Sequence, residues 1–133
     1  MKSSRRRARE YALQGLYQWQ LAGGSAKDIE AQLADDRNFA KADHAFFVLL
    51  LNGALGGAVE LELVIGPALV RPLAQRSPIE RSILLLASYE LRDLVDIPYR
   101  VVINEAVELA KDFGRTDGFK FVNGVLDRIA PLL

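Results

Sequence analysis

Four arginines, Arg5, Arg6, Arg7 and Arg9, crowd the start of the chain, with Lys2 just ahead of them. A guanidinium donates forked hydrogen bonds that match phosphate oxygens, so such a cluster suits nucleic acid. Basic tails also meet acidic proteins and membranes, and a solvated, fraying terminus can carry the same residues. The formal net charge of zero hides an asymmetry. Residues 1–9 hold five basic groups and no acid, while the rest carry 12 basic and 17 acidic groups, a net of −5. A basic arm on an acidic body points to an anionic partner for the arm.

A second group of interest is Lys120, Phe121, Asn123 and Gly124. On a helix, Phe121 lies at the border of the apolar face, flanked by Gly124 and Arg128. An aromatic side chain there, beside a basic residue and a glycine that permits close approach, can stack a nucleobase. The same position also suits a ring packed under a neighbouring loop. Glu105, Glu108 and Asp112 form a carboxylate stripe, but no nucleophile or second titrating group accompanies them. They read as a solvated face or a partner surface.

Much chemistry is excluded by composition. The chain has no cysteine, so disulfides, thiolate metal sites and a cysteine nucleophile are ruled out. A single histidine, His44, rules out a multi-histidine metal centre. Gly53, Gly56 and Gly57 lack the lysine and hydroxyl of a phosphate-cradling loop. No enzyme, metal or cofactor is expected. The most apolar of the long uncharged runs, Ala45 to Val59, has 15 residues and includes Asn52 and three glycines, which is too short and too polar for a membrane span. Gln14, Gln18 and Gln20 interrupt the segment after the basic arm, so no signal-peptide core is present. The reading is a cytoplasmic protein without a membrane span.

The elements that must position these residues are helical. Apolar residues recur at helical spacing in at least five segments, and none alternates as a half-buried strand would. The spacing predicts helices near 5–21 and 26–35, then one from Asp43, as cap, to about Leu63. Ser77, Pro78 and Glu80 form a capping-box signature. The run Ile83 to Ala87 behind it is apolar all round, as a central helix requires. Further helices are predicted from the Pro98 region to Phe113, stopped by Gly114, and near 118–130, capped by Asp117 and closed by Pro131. In the last helix Phe119, Val122, Val125, Leu126 and Ile129 form the core face. In the first helix Arg5 and Arg9 share a face with Ala12 and Leu16. Burying them without partners is costly, so the first turns are expected to overhang the body or stay disordered. Tyr11, Tyr17 and Trp19 read as core or half-core aromatics. About seven helices make one all-α domain over residues 1–133.

Several of these segments together resemble a known family. Arg5-Arg6-Arg7-Ala8-Arg9-Glu10 with Leu16-Tyr17-Gln18-Trp19-Gln20, the run from Pro98 to Lys111, and Lys120-Phe121-Val122-Asn123-Gly124-Val125-Leu126-Asp127 are similar to segments of the NusB family of bacterial transcription antitermination proteins. Ile79-Glu80-Arg81 to Tyr89-Glu90-Leu91 fits as well. The resemblance covers essentially the whole chain, most weakly near 22–76, and Gly118 and Phe119 are positions where variation is expected. It implies an all-helical fold of two bundles. It also implies binding to the boxA element of nascent ribosomal RNA transcripts together with the ribosomal protein NusE, and action on RNA polymerase to read through terminators. The RNA contacts implied are Arg5, Arg6, Arg7, Arg9, Lys120, Phe121 and Asn123; the NusE surface lies near Tyr17 and Glu80. Two rivals are the related RNA-binding domain of ribosomal RNA cytosine methyltransferases and a protein-only helical adaptor.

Overall fold

The computed structural model describes residues 2–69 and 77–133. Among these, seven α-helices form and no strand does: α1 (Ser4–Ala22), α2 (Ala26–Leu33), α3 (His44–Gly56), α4 (Ala58–Ile65), α5 (Pro78–Asp93), α6 (Tyr99–Phe113) and α7 (Gly118–Ile129). Short 3-10 turns follow α2, α4 and α7. The helices fall into two compact units, Met1–Gly56 and Gly57–Leu133. No single described helix is long and apolar enough to cross a membrane.

In the first unit α1 packs on α2 and α3. Each helix begins with a side-chain oxygen that takes up a free N–H of the first turn. Ser3 Oγ accepts from Arg6 N at 3.0 Å, Ser25 Oγ from Asp28 N at 3.1 Å and Asp43 Oδ1 from Phe46 N at 3.1 Å. Ala8, Leu13 and Leu16 of α1 bury against a core that includes Ile29, Phe47, Leu50 and Leu51. Close approach depends on Gly15, where an added Cβ would lie 2.9 Å from Leu51 Cδ1 and 3.2 Å from Ile29 Cγ2. Tyr11 and Phe47 each meet Phe39 edge to face, at 5.1 and 5.0 Å between ring centres. Burial, followed by a hydrogen bond to Asp36, raises the Tyr11 phenol above its ordinary pKa. His44 opens α3 and pairs through Nε2 with Glu30 Oε2 at 3.0 Å.

In the second unit α5 packs against α4, α6 and α7. Its apolar run, Ile83 to Ala87, is buried throughout, as expected of a helix apolar on every side. Ser77 caps it: Oγ accepts from Glu80 N and donates to Glu80 Oε2, both at 3.2 Å. Glu80 therefore answers the serine hydroxyl. Arg81 Nε donates to Glu62 Oε1 of α4 at 2.8 Å, tying the two helices.

Two sequence expectations are corrected. The helix expected from Asp43 to about Leu63 is divided at Gly57, whose φ and ψ of −99° and 5° leave the helical region. Adjacent glycines at 56 and 57 make helix there unfavourable by roughly 1 kcal/mol each relative to alanine. Asp117 precedes α7 but caps it without its side chain. Its backbone is left-handed (φ 67°), and its carbonyl, not its carboxylate, accepts from Lys120 N at 3.1 Å.

Replacing Ser77 by alanine removes the N-terminal tie of the most buried helix. The expected loss is roughly 1 kcal/mol, read as a melting temperature lower by a few degrees with unchanged helical content. An unaltered melting temperature would mean that the serine does not secure α5.

Candidate nucleic-acid interface

The arginine cluster belongs to the first unit. Helix α1 begins at Ser4, so Arg5, Arg6, Arg7 and Arg9 all lie within its first two turns. The expected overhang is not found. Arg9 is only 4% exposed, and its guanidinium carbon lies 5.0 Å from the centre of the Phe46 ring. Arg5 approaches the same ring at 4.4 Å, with Nε 3.9 Å from Asp43 Oδ2. An aromatic face attracts cations through its quadrupole, so one phenylalanine of α3 answers two arginines on the core side of α1. Sequence periodicity missed Phe46 because it reports which face a residue occupies, not what comes to meet it. Arg5 keeps about half of its side chain in solvent, and Arg6 and Arg7 are partly exposed. Glu10, also missed, is buried and takes Lys2 Nζ at 2.9 and 3.0 Å from its two oxygens. Tyr17, further along α1, is 37% exposed.

The second cluster belongs to the second unit. Helices α6 and α7 pack closely, and a cavity of about 360 Å³ opens along their seam. It is lined by Asn104, Val107 and Lys111 from α6 and by Phe119, Lys120, Asn123 and Gly124 from α7. Lys120 and Asn123 are therefore brought together. Phe121 is half-buried and does not line the cavity. The aromatic that does is Phe119, expected in the core. It is only half-buried, whereas Val122, Val125, Leu126 and Ile129 form the core face of α7. Lys111 Nζ lies 5.1 Å and Lys120 Nζ 5.9 Å from the centre of the Phe119 ring.

Two further residues are buried. Glu80 is 6% exposed, so it offers little surface to a partner. Gly118 is buried, and a Cβ there would sit 2.8 Å from Glu80 Oε1, so a side chain would require the carboxylate to shift. Arg128, the basic neighbour of Phe121 on the helix, donates from Nη2 to the Ala68 carbonyl at 3.0 Å. In the carboxylate stripe of α6, Glu108 pairs with Lys111 at 3.7 Å. No group of three or more histidine, aspartate or glutamate side chains able to hold a metal occurs among the described residues.

Comparison with known proteins identifies the family. The model of the NusB family matches residues 6–131. The chain is 55% identical to the transcription antitermination protein NusB of Paraburkholderia phytofirmans, over all of this chain and 92% of that one. It is 61% identical to the NusB of Nitrosospira multiformis over 94% of this chain and 79% of the relative. Among solved structures, T. maritima NusB superposes with a TM-score of 0.84 at 34% identity, covering 98% of this chain and 93% of that one. A crystal structure of the antitermination factors NusB and NusE in complex with dsRNA superposes over the whole of both chains, with a TM-score of 0.89 at 27% identity. With its all-helical fold, its arginine-rich first helix and a match that runs nearly end to end, the chain belongs to the NusB family.

Proposed function

We propose that this protein is a transcription antitermination factor. It binds boxA RNA of nascent ribosomal RNA transcripts with the ribosomal protein NusE, and helps RNA polymerase read through terminators. The observation that carries the reading is the relationship itself: relatives above half identity over nearly their whole length are named transcription antitermination protein NusB. The neighbour solved with NusE and RNA supports both partners. The family model runs through both compact units, which favours one functional domain over residues 1–133. A factor that acts on nascent bacterial transcripts works in the cytoplasm, and the role needs no catalysis. The relatives' names favour this reading over a methyltransferase RNA-binding domain or a protein-only adaptor.

The chemistry divides between the clusters. Arg5, Arg6 and Arg7 can reach phosphates from α1, while Arg9, lodged on Phe46, fixes the helix that presents them. Phosphate contacts anchor a strand but carry no sequence information. Lys120, Phe121 and Asn123 add a cation, a ring and a carboxamide, the groups that handle an unpaired base. Base edges are hidden in the deep, narrow major groove of an RNA duplex, so sequence is read from single strands. Tyr17 gives NusE an exposed aromatic, and Glu80 acts from beneath the surface by securing the start of α5.

If Arg5, Arg6 and Arg7 each neutralise one phosphate, the arm's share of the log–log salt slope on single-stranded RNA is expected near −2, at about 0.7 per contact. Replacing Arg6 and Arg7 by alanine should flatten it, whereas Arg9→Ala should lower stability as well. A slope unchanged in the double variant would remove the arm from the RNA site. NusE and RNA are also expected to bind with positive coupling. Calorimetry should show each tightening the other by the same factor, because linkage is reciprocal. Equal affinities with and without the second partner would count against a joint complex.

A further inference from the structure

We propose that the cavity between α6 and α7 is a subsite for one unpaired RNA nucleotide, with Phe119 as its stacking platform and Lys111 as its second phosphate contact. The proposal rests on the RNA-binding function proposed for the chain and extends it to residues outside the arginine arm. The groups on the wall are complementary to a nucleotide in each of its parts. The Phe119 ring offers an apolar face for a base. Asn104 and Asn123 offer two carboxamides, each with a donor and an acceptor for a base edge. Lys111 and Lys120 hold their ammonium groups over the Phe119 ring, 5.1 and 5.9 Å from its centre. A base stacking there would take the place of an ammonium group, whose long stem lets it turn to the phosphate of the same nucleotide. An acidic peptide would use the ammonium groups and leave the ring and carboxamides unmatched. An intact duplex exposes no base face.

The site is also ready for use. Lys111 and Lys120 face Glu108 and Asp117 at 3.7 and 3.5 Å, in exposed pairs one helical turn apart. Such pairs are weak, so a phosphate can replace the carboxylates with little loss. Phe119 keeps part of its ring uncovered although α7 has a full apolar face of its own. At Gly124 the wall is open, since the nearest atom to an added Cβ is Arg128 Nη1 at 3.9 Å.

The test is an abasic scan of a boxA-type single-stranded RNA oligonucleotide against the intact protein and four variants. Phe119→Leu is expected to weaken binding about 5- to 100-fold without changing the salt slope, and Phe119→Tyr to keep most of the affinity. Lys111→Gln is expected to reduce the slope by about 0.7, and being exposed it tests the site even if Phe119→Leu melts early. One abasic position should weaken binding to the intact protein yet have no further effect on Phe119→Leu, the mark of a shared interaction. Additive effects at every position, with Lys111→Gln binding like the intact protein, overturn the subsite. The RNA reading itself survives that result if Arg6→Ala, the fourth variant, still flattens the slope. Absence of RNA binding by the intact protein overturns both.

Discussion

Glu80 stands in the first turn of α5, almost wholly out of water, and its carboxylate has to be accommodated there. A buried carboxylate is tolerable only with polar partners, and a helix N-terminus is the place where negative charge is best received. Ser77 supplies a hydroxyl donor at 3.2 Å, and the free N–H groups of the first turn add their partial positive charge. On the other side lies Gly118, the first residue of α7, where an added Cβ would come within 2.8 Å of Glu80 Oε1. A flexible carboxylate in solvent could step aside for a methyl group, but this one is held by Ser77 and the surrounding protein. The start of α7 is thereby set against the start of α5. Phe119 and Lys120 come next in the chain, so the wall of the α6–α7 cavity depends on a contact that touches no ligand.

The first unit meets a comparable problem with positive charge. Arg5 and Arg9 lie on the side of α1 that packs, where an unpartnered guanidinium would be strongly unfavourable. A ring is a partner that costs little to bury, because its own faces need no hydrogen bonds. Phe46 serves both arginines and lets α1 remain helical from Ser4 onward. The arginines between them, Arg6 and Arg7, are then displayed on a rigid rod instead of a floppy tail. Display of this kind lowers the entropy lost when a phosphate is gripped.

Much of this was legible in the sequence. The apolar run of α5, the Ser77 and Asp43 caps and the stop at Gly114 arise from local rules that no distant contact overrides. The division at Gly57 was signalled by the glycine pair but masked by the long apolar stretch around it. The left-handed Asp117 was less accessible, since aspartate serves equally as a side-chain cap and as a left-handed residue. Arg9 and Phe119 were misjudged for one reason. A helical wheel assigns each residue a direction, whereas burial depends on the element that arrives from elsewhere: Phe46 for Arg9, and Lys111 for Phe119.

The charge balance gives the two clusters a common logic. Outside the first nine residues the chain carries a net charge of −5. An RNA strand is attracted to the basic groups and repelled by most of the remaining surface, which discourages promiscuous binding by a small protein. Arginines alone would still hold any RNA, because phosphates are the same in every sequence. Discrimination requires groups that respond to bases, and it requires them to be few and fixed. Helices α6 and α7, which pack against each other, carry a ring and carboxamides that can respond to bases under the proposed reading. On that reading, affinity and selectivity come from different helices. A partner that adds further contacts along the strand can then raise the first without eroding the second.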